Sequence, residues 1–266
     1  MAATAAAPSA HAPSVLVVFD YDWSLVNENS DTFVFRQLHP ALLETLAERY
    51  RLLQPPSWTK LMDELLRDLA LQQPHVSAAI IRDTLARIPV LDKMLDAVRL
   101  AVETHGAVLK IVSDANTVYI DAMVAHHGLE RHVSEVFTNP GFFDDADAKR
   151  LRVEPYHALH LDPHGCANCP ANMCKGQILD KILSERRFSH VLYVGDGTGD
   201  FCPSTRLSPN DVVFARANDA DGKSYGLLKK LQANQDKVAA KVVPWSSGED
   251  IYNQFDAFFQ GLQAQA

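Results

Sequence analysis

At 266 residues, 47% of them hydrophobic, the chain can build one large or two small domains with a real core, and its formal net charge is −8. That acidic balance argues against a nucleic-acid or anionic-membrane surface, yet it allows a small phosphorylated ligand where a metal supplies local positive charge. There is no apolar run of about eighteen residues and no basic segment leading into an apolar one, so no membrane span or secretory leader is expected and the expected location is cytoplasmic.

Residues 1–14 are rich in alanine, lack Arg and Lys, and are expected to form a disordered tail. Val15 to Phe19 is a continuous apolar run, the pattern of a strand buried on both faces, and it ends abruptly in Asp20 and Asp22. At a period of two, these carboxylates share one side of the extended chain, roughly 6.5 Å apart, while Tyr21 points the other way. Alone, the pair reads equally well as a solvated turn, so the rest of the chain has to decide.

After the polar run Asn27 to Asp31 come some seventy residues without a convincing strand. Pro40 to Leu53, Ser57 to Leu71 and Ser77 to Ile88 each repeat apolar residues at spacings of three and four. Pro55-Pro56, Pro74 and Pro89 separate them, with Ser57 and Ser77 as N-caps. A further helix, Val90 to Glu103, is expected to stop at His105-Gly106. Residues 31–104 therefore read as a small helical cap, inserted into a core formed by residues 15–30 and 105–266.

The strand grammar then returns. Val108 to Val112 ends in Ser113, Asp114, Ala115 and Asn116, followed by a helix from Thr117 to His127. Glu135 to Thr138 is a short strand, Asn139 to Ala148 a turn-rich stretch, and Leu151 to Pro163 a small hairpin or irregular loop. Lys175 to Arg187 is helical; His190 to Val194 is a strand running into Gly195-Asp196-Gly197-Thr198-Gly199-Asp200. Asp211 to Ala215 (strand), Lys223 to Gln235 (helix), Val242-Val243 (edge strand) and Asp250 to Leu262 (helix) complete the chain. This alternation predicts an α/β fold, a doubly wound parallel sheet in which functional groups gather at the carboxyl ends of the strands.

Three strands thus end in chemically loaded turns, and one pocket can hold all three. Carboxylates such as Asp20, Asp196 and Asp200 suit Mg²⁺, a hard cation that takes oxygen ligands, and Lys175 adds a second positive charge. With phosphate-binding donors such as Ser113 nearby, an ionised Asp can attack phosphorus and form an aspartyl-phosphate that water then hydrolyses.

The order Asp20-Tyr21-Asp22-Trp23-Ser24, Ser113, Lys175 and Gly195 to Asp200 resembles the four motifs of haloacid dehalogenase-like phosphatases, across about residues 15–215. The resemblance implies a Rossmann-like core in which Asp20 is the nucleophile and Asp22 the general acid, then base. It further implies that Ser113 and Lys175 hold the phosphoryl group, that Asp20, the Asp22 carbonyl and Asp196 bind Mg²⁺, and that Asp200 orients metal waters. Asn27 to Asp31, Ser113 to Asn116, Cys169 to Gly176 and Val194 to Pro203 are similar to the PHOSPHO family, whose members act on phosphoethanolamine, phosphocholine or pyridoxal 5'-phosphate, with plant relatives acting on thiamine monophosphate. By that likeness Asp31, Asp114 and Asn116 are substrate-recognition candidates, the two carboxylates facing an ammonium group. Trp23 is bulkier than the family pattern leads one to expect, and Gly199 stands where many members have Asn.

The first-choice reading is a Mg²⁺-dependent phosphomonoesterase acting on phosphoethanolamine or phosphocholine, with pyridoxal phosphate or thiamine monophosphate as alternatives. A non-catalytic ligand-binding protein of the same fold is the alternative from another class. Asp31 also reads as a cap for the first inserted helix. Cys166, Cys169 and Cys174, with His160 and His164 near, have metal-ligand character for a structural zinc, against the alternative of reduced, partly buried thiols.

Overall fold

The computed structural model describes residues 14–54, 57–144, 149–157, 163–219 and 222–264. Residues 1–13 of the expected tail, Pro55-Pro56 and His160 lie outside them. In chain order the elements are β1 (Val15–Phe19), α1 (Ser30–Leu38), α2 (Ala41–Glu44), α3 (Leu46–Leu52), α4 (Trp58–Gln72), α5 (Ala78–Ala86), α6 (Met94–Arg99), β2 (Val108–Asn116), α7 (Thr117–His126) and β3 (Val133–Asn139). They continue with β4 (Gly141–Phe143), β5 (Leu151–Val153), α8 (Lys175–Glu185), β6 (His190–Gly195), α9 (Phe201–Ser204), β7 (Val212–Arg216), α10 (Gly226–Gln232), β8 (Lys241–Trp245) and α11 (Gly248–Gln263).

Six strands form one parallel sheet in the order β3-β2-β1-β6-β7-β8, so the chain winds outward from β1 in one direction and then from β6 in the other. The reversal lies between β1 and β6, where Phe19 is in register with Val194. Both faces are covered. Val15, Val17 and Phe19 pack with α7 and α11, whereas Leu16 and Val18 pack with α8 and α10. That two-sided burial explains why these strands read as unbroken apolar runs.

Between β1 and β2 the described residues are helical or turn. Ser57 caps α4 by accepting from Lys60 N, and Ser77 caps α5 by accepting from Ile80 N, as their sequence positions predict. The expected single helix over Pro40 to Leu53 is two short ones, interrupted at Thr45 (φ −99°, ψ 0°). Asp31 is not the cap of the first helix; Asn29 is, accepting from Thr32 N, and Asp31 sits in the first turn. α4 packs on β5 and α5 on α7, while α6 and the turn after it pack on α11, beside the sheet.

The turn-rich stretch after Asn139 contains a strand: β4 pairs antiparallel with β5 through Phe142 and Arg152. Asp63 of α4 holds this hairpin, accepting from Val153 N (3.1 Å) and Arg152 Nε (3.0 Å).

α11 begins with a reciprocal capping box between Ser247 and Asp250 and buries Phe255 edge-on against Phe19 and Phe214. Its first residue, Gly248, lies so close to the chain ahead of α6 that a Cβ would stand 2.1 Å from Asp92 O and 2.6 Å from Met94 N. Those are backbone atoms and cannot swing aside. Gly248→Ala is therefore expected to destabilise the protein by about 2–3 kcal/mol, read from the midpoint of urea unfolding at unchanged m-value.

Candidate active site

β1 delivers Asp20 to the point of sheet reversal, and the chain there makes one wide turn: Leu25 N donates to Asp20 O (3.2 Å) and Val26 N to Tyr21 O (3.0 Å). Within it, Asp22 (φ −65°, ψ 132°) and Trp23 (φ 56°, ψ 9°) have the dihedrals of a type II turn, whose second central position favours glycine. Trp23 is held in this left-handed conformation from three sides. Its carbonyl accepts from Arg216 Nη1 (2.6 Å), its N–H donates to Glu28 O (3.1 Å), and Lys223 Nζ lies over its ring. Arg216 is itself buried, stacked on Tyr225 and Trp245, and donates to Asn27 Oδ1 (2.7 Å). Sequence reasoning missed this arginine: it follows an apolar strand and carries no motif.

Lys175, the first residue of α8, reaches Asp20 Oδ1 and Asp200 Oδ1, each at 2.9 Å. Asp200 is fully buried and saturated. Its Oδ1 also accepts from Tyr193 OH (2.8 Å), and its Oδ2 accepts from Asp196 N (3.2 Å) and Gly197 N (3.1 Å). A Cβ at Gly195 would stand 2.7 Å from that carboxylate, so the glycine is what lets Asp200 fold back under the strand end. Tyr193, another residue the sequence did not single out, was legible only as a core aromatic.

Ser113, Asp114 and Asn116 belong to β2 itself, which continues past the expected end at Val112. Between the pairs Val112–Phe137 and Asn116–Asn139, β2 spends two more residues than β3, and this bulge re-aims the strand end. Ser113 is fully buried, its Oγ accepting from Ala115 N (3.3 Å). Asp114 is exposed, its carbonyl pinned by Asn139 Nδ2 (2.6 Å). Asn116 caps α7 through Tyr119 N (3.2 Å), and its buried Nδ2 has no partner among the described residues.

Asp22 turns away from Lys175 toward α1, accepting from Ser30 N (3.0 Å) and Asn29 Nδ2 (3.2 Å). Burial, and then the nearby Asp31 carboxylate, push its pKa well above the usual range against the pull of the Ser30 bonds. Asp31 accepts from Trp58 Nε1 of α4 (2.6 Å), and burial, with Asp114 adding, lifts it to about 7 despite that bond.

Around Asp20 the negative charge outnumbers the positive. Asp20, Asp196 and Asp200 place carboxylate oxygens within 4.8 Å of one another, with Lys175 between two of them. Burial and then Asp200 push Asp20 well above its usual pKa against Lys175, and burial and Asp200 lift Asp196 to about 7. Burial disfavours the Lys175 ammonium, yet Asp20 and Asp200 hold its pKa well up. An all-oxygen set that short of cations fits a hard divalent ion such as Mg²⁺.

The cysteines form a second cluster. Among the described residues Cys166, Cys169 and Cys174 are joined by Cys202 of α9, all four Sγ atoms lying within 4.8 Å of one another. His164 is used otherwise: its Nε2 meets Pro170 O (2.9 Å) and its Nδ1 accepts from Cys166 N (3.0 Å).

Over residues 15–258 the chain matches the model of a protein family described as "Putative Phosphatase". The chain belongs to this family. It is 35% identical over 243 residues to a thiamine phosphate phosphatase-like protein of Arabidopsis thaliana (89% of this chain, 91% of the relative). It is 34% identical over 247 residues to inorganic pyrophosphatase 2 of Arabidopsis thaliana (90% and 81%). Against mouse pyridoxal phosphate phosphatase PHOSPHO2 the figure is 31% over 249 residues (89% and 95%). Among solved structures, substrate-bound phosphoserine phosphatase superposes with a TM-score of 0.57 at 14% identity, covering 92% of this chain and 99% of that one. This last likeness is one of fold, the haloacid dehalogenase-like fold expected from the motifs. The protein is a phosphatase with that fold, and among its described residues no helix is long and apolar enough to cross a membrane.

Because the folded-state pKa of Asp31 is raised, the folded chain keeps its proton between about pH 4 and about pH 7 while the unfolded chain has released it. The stability this contributes is complete below that window and lost as pH rises through it. Asp31→Asn is expected to raise the melting temperature at about pH 8 and to leave it nearly unchanged at about pH 5. Equal shifts at the two pH values would show that the carboxyl is not held up.

Proposed function

We propose that the protein hydrolyses small phosphomonoesters through an aspartyl-phosphate on Asp20, with Mg²⁺ held by Asp20, Asp196 and the Asp22 carbonyl, and with Asp200, its oxygens already engaged, positioning Lys175 and the Asp196 turn. The observation that carries this reading is the division of labour between two neighbouring aspartates. Asp20 Oδ1 is fixed by Lys175 (2.9 Å) and by Tyr21 N (2.7 Å), which turns Oδ2 to the task of attack. Burial raises the pKa of both, but Lys175 and the proposed Mg²⁺ would favour the ionised form of Asp20, whereas Asp22 has no such cation and would enter the reaction with a proton to give.

Asp20 Oδ2 forms a bond to phosphorus as the bond from phosphorus to the ester oxygen breaks, and Asp22 donates its proton to the departing alkoxide. Asp22, now ionised, takes a proton from a water whose oxygen attacks phosphorus, which releases phosphate and regenerates Asp20. Mg²⁺ would supply charge neutralisation, letting a carboxylate approach a phosphate dianion. Lys175, with Ser113 beneath the bulge, would steady the phosphoryl oxygens. Residues 31–104 would act as a cap: α1 brings Asp31 and α4 brings Trp58 to the side of Asp22, where the leaving group departs. A cytoplasmic setting, where thiols stay reduced, accompanies this reading.

The substrate class follows from charge. Asp22, Asp31 and Asp114 influence one another electrostatically, which favours an ester whose alcohol carries a cationic nitrogen. Phosphoethanolamine and phosphocholine are the first choice; pyridoxal phosphate and thiamine monophosphate are the next, relatives being named a pyridoxal phosphate phosphatase and a thiamine phosphate phosphatase-like protein. The pyrophosphatase relative makes pyrophosphate a second reading. Asp31 and Asp114 would oppose it, since a second phosphate would meet acidic groups there rather than a cation.

The test is phosphate release from these five compounds with Mg²⁺ and with EDTA. Release is expected to require Mg²⁺, to fall at least about a thousandfold in Asp20→Asn, and about a hundredfold or more in Asp22→Asn. Asp31→Asn is expected to raise KM for phosphoethanolamine about tenfold without raising it for pyrophosphate. A preference for pyrophosphate over every ester would overturn the substrate class, and full activity in Asp20→Asn would overturn the nucleophile.

A further inference from the structure

We propose that Cys166, Cys169, Cys174 and Cys202 form a tetrahedral zinc site that fastens the Asp200 turn to the first turn of α8. The sulfur spacing carries the argument. Zinc–thiolate bonds of about 2.3 Å in a tetrahedron set neighbouring sulfurs roughly 3.8 Å apart. In the structure Cys166 Sγ and Cys174 Sγ lie 3.8 and 3.9 Å from Cys202 Sγ. A disulfide would need about 2.05 Å and would join the sulfurs in pairs, whereas here all four converge on one another.

The surroundings suit thiolates as well as the spacing does. Cys174 is the N-cap of α8, its Sγ accepting from Gln177 N (3.5 Å) where the helix dipole favours negative charge. Cys169 N donates to Cys166 O (3.4 Å), closing the turn that brings this pair together. Arg206 sits beside Cys202, its Nη1 3.5 Å from Asp180 Oδ2, and offsets the net charge of four thiolates around one divalent ion. At Gly176 a Cβ would stand 2.5 Å from Cys202 Sγ, so α8 and α9 approach this closely only because that residue has no side chain. With both histidine nitrogens of His164 engaged by the backbone, the loop is shaped to present sulfur.

The position gives the site a consequence for the catalytic cluster. Cys174 directly precedes Lys175, and Cys202 lies two residues after Asp200, the two groups joined by a 2.9 Å ion pair. A metal bound by these neighbours would fix the two chain segments independently of that ion pair. Binding converts thiols to thiolates and releases their protons, so zinc uptake is accompanied by acidification of an unbuffered solution. The metal site stands on its own geometry; only its effect on turnover rests on the phosphatase reading.

The full-length protein, purified after growth with zinc chloride, is expected to hold about one zinc per chain, and its cobalt-substituted form to show the intense thiolate-to-cobalt charge-transfer and tetrahedral ligand-field absorption. Cys202→Ser and Cys166→Ser are expected to lose the metal, while Asp20→Asn keeps it, which separates this site from failure of the phosphatase assignment. Zinc removal by a thiol-competitive chelator is expected to lower the melting temperature, with recovery on zinc but not on magnesium. The wild-type protein needs no variant to fold for the decisive outcome. Trace zinc only, with four thiols titrating freely in the native protein, or a disulfide between any two of these cysteines, would overturn the proposal.

Discussion

The ammonium of Lys175, shared between Asp20 and Asp200 at 2.9 Å each, is the interaction on which the rest of the arrangement depends. It spans the sheet reversal, tying the end of β1 to the turn after β6 by way of α8. As a stabilising device it is poor, because burying charges costs about as much as their pairing returns, and the repulsion among Asp20, Asp196 and Asp200 adds to the cost. Its worth is geometric. One lysine chooses which oxygen of Asp20 is occupied and which is presented, and the same lysine keeps Asp200 under the strand while backbone N–H groups from Asp196 and Gly197 complete its shell.

That cluster needs a rigid base, and the sheet supplies one. The parallel register of Phe19 with Val194 sets Asp20 beside the end of β6 at Gly195, one residue before Asp196, and apolar packing on both faces holds the strands together. Arg216 then carries the ordering outward. From the end of β7 it reaches back to the Trp23 carbonyl and Asn27, so a strained turn after β1 is propped by a residue nearly two hundred positions away. Bulk at Trp23, unexpected from the family pattern, is thereby accounted for: its ring covers the turn under Lys223 and beside Tyr225.

What was legible in the sequence follows the physics of period and position. The runs 15–19, 108–112 and 190–194 announced buried parallel strands because both faces are covered; Ser57 and Ser77 announced their helices because capping is local. The break at Thr45 was hidden, since apolar periodicity continues across it. β4 was hidden because a three-residue strand takes its stability from Asp63 of a distant helix. Among site residues, the aspartates and Lys175 stood out as charges at strand or helix ends. Arg216, Tyr193, Trp58 and Cys202 did not, for each gains its partner only when chain segments far apart in sequence meet. Asn29, not Asp31, caps α1, and the Asp31 carboxylate instead accepts from Trp58 Nε1 of α4.

Asp31 shows how the insert and the core constrain each other. Its partner Trp58 belongs to α4, and its electrostatic neighbours Asp22 and Asp114 belong to the turns after β1 and within β2. The Trp58 bond favours the ionised form, while burial, with Asp114 adding, opposes it more strongly, leaving the group near the middle of its titration at neutral pH. On the proposed reading, a cationic leaving group would tip that balance: by ionising Asp31 it would gain an attraction that a neutral or anionic one could not. Release would reverse it, because once the alcohol departs the carboxyl again prefers its proton. A site that recognised its ligand through an ionisation the ligand itself induces would not need to hold a permanent buried charge, and this would reconcile the proposed selectivity for cations with a pocket already burdened by the carboxylates around Asp20.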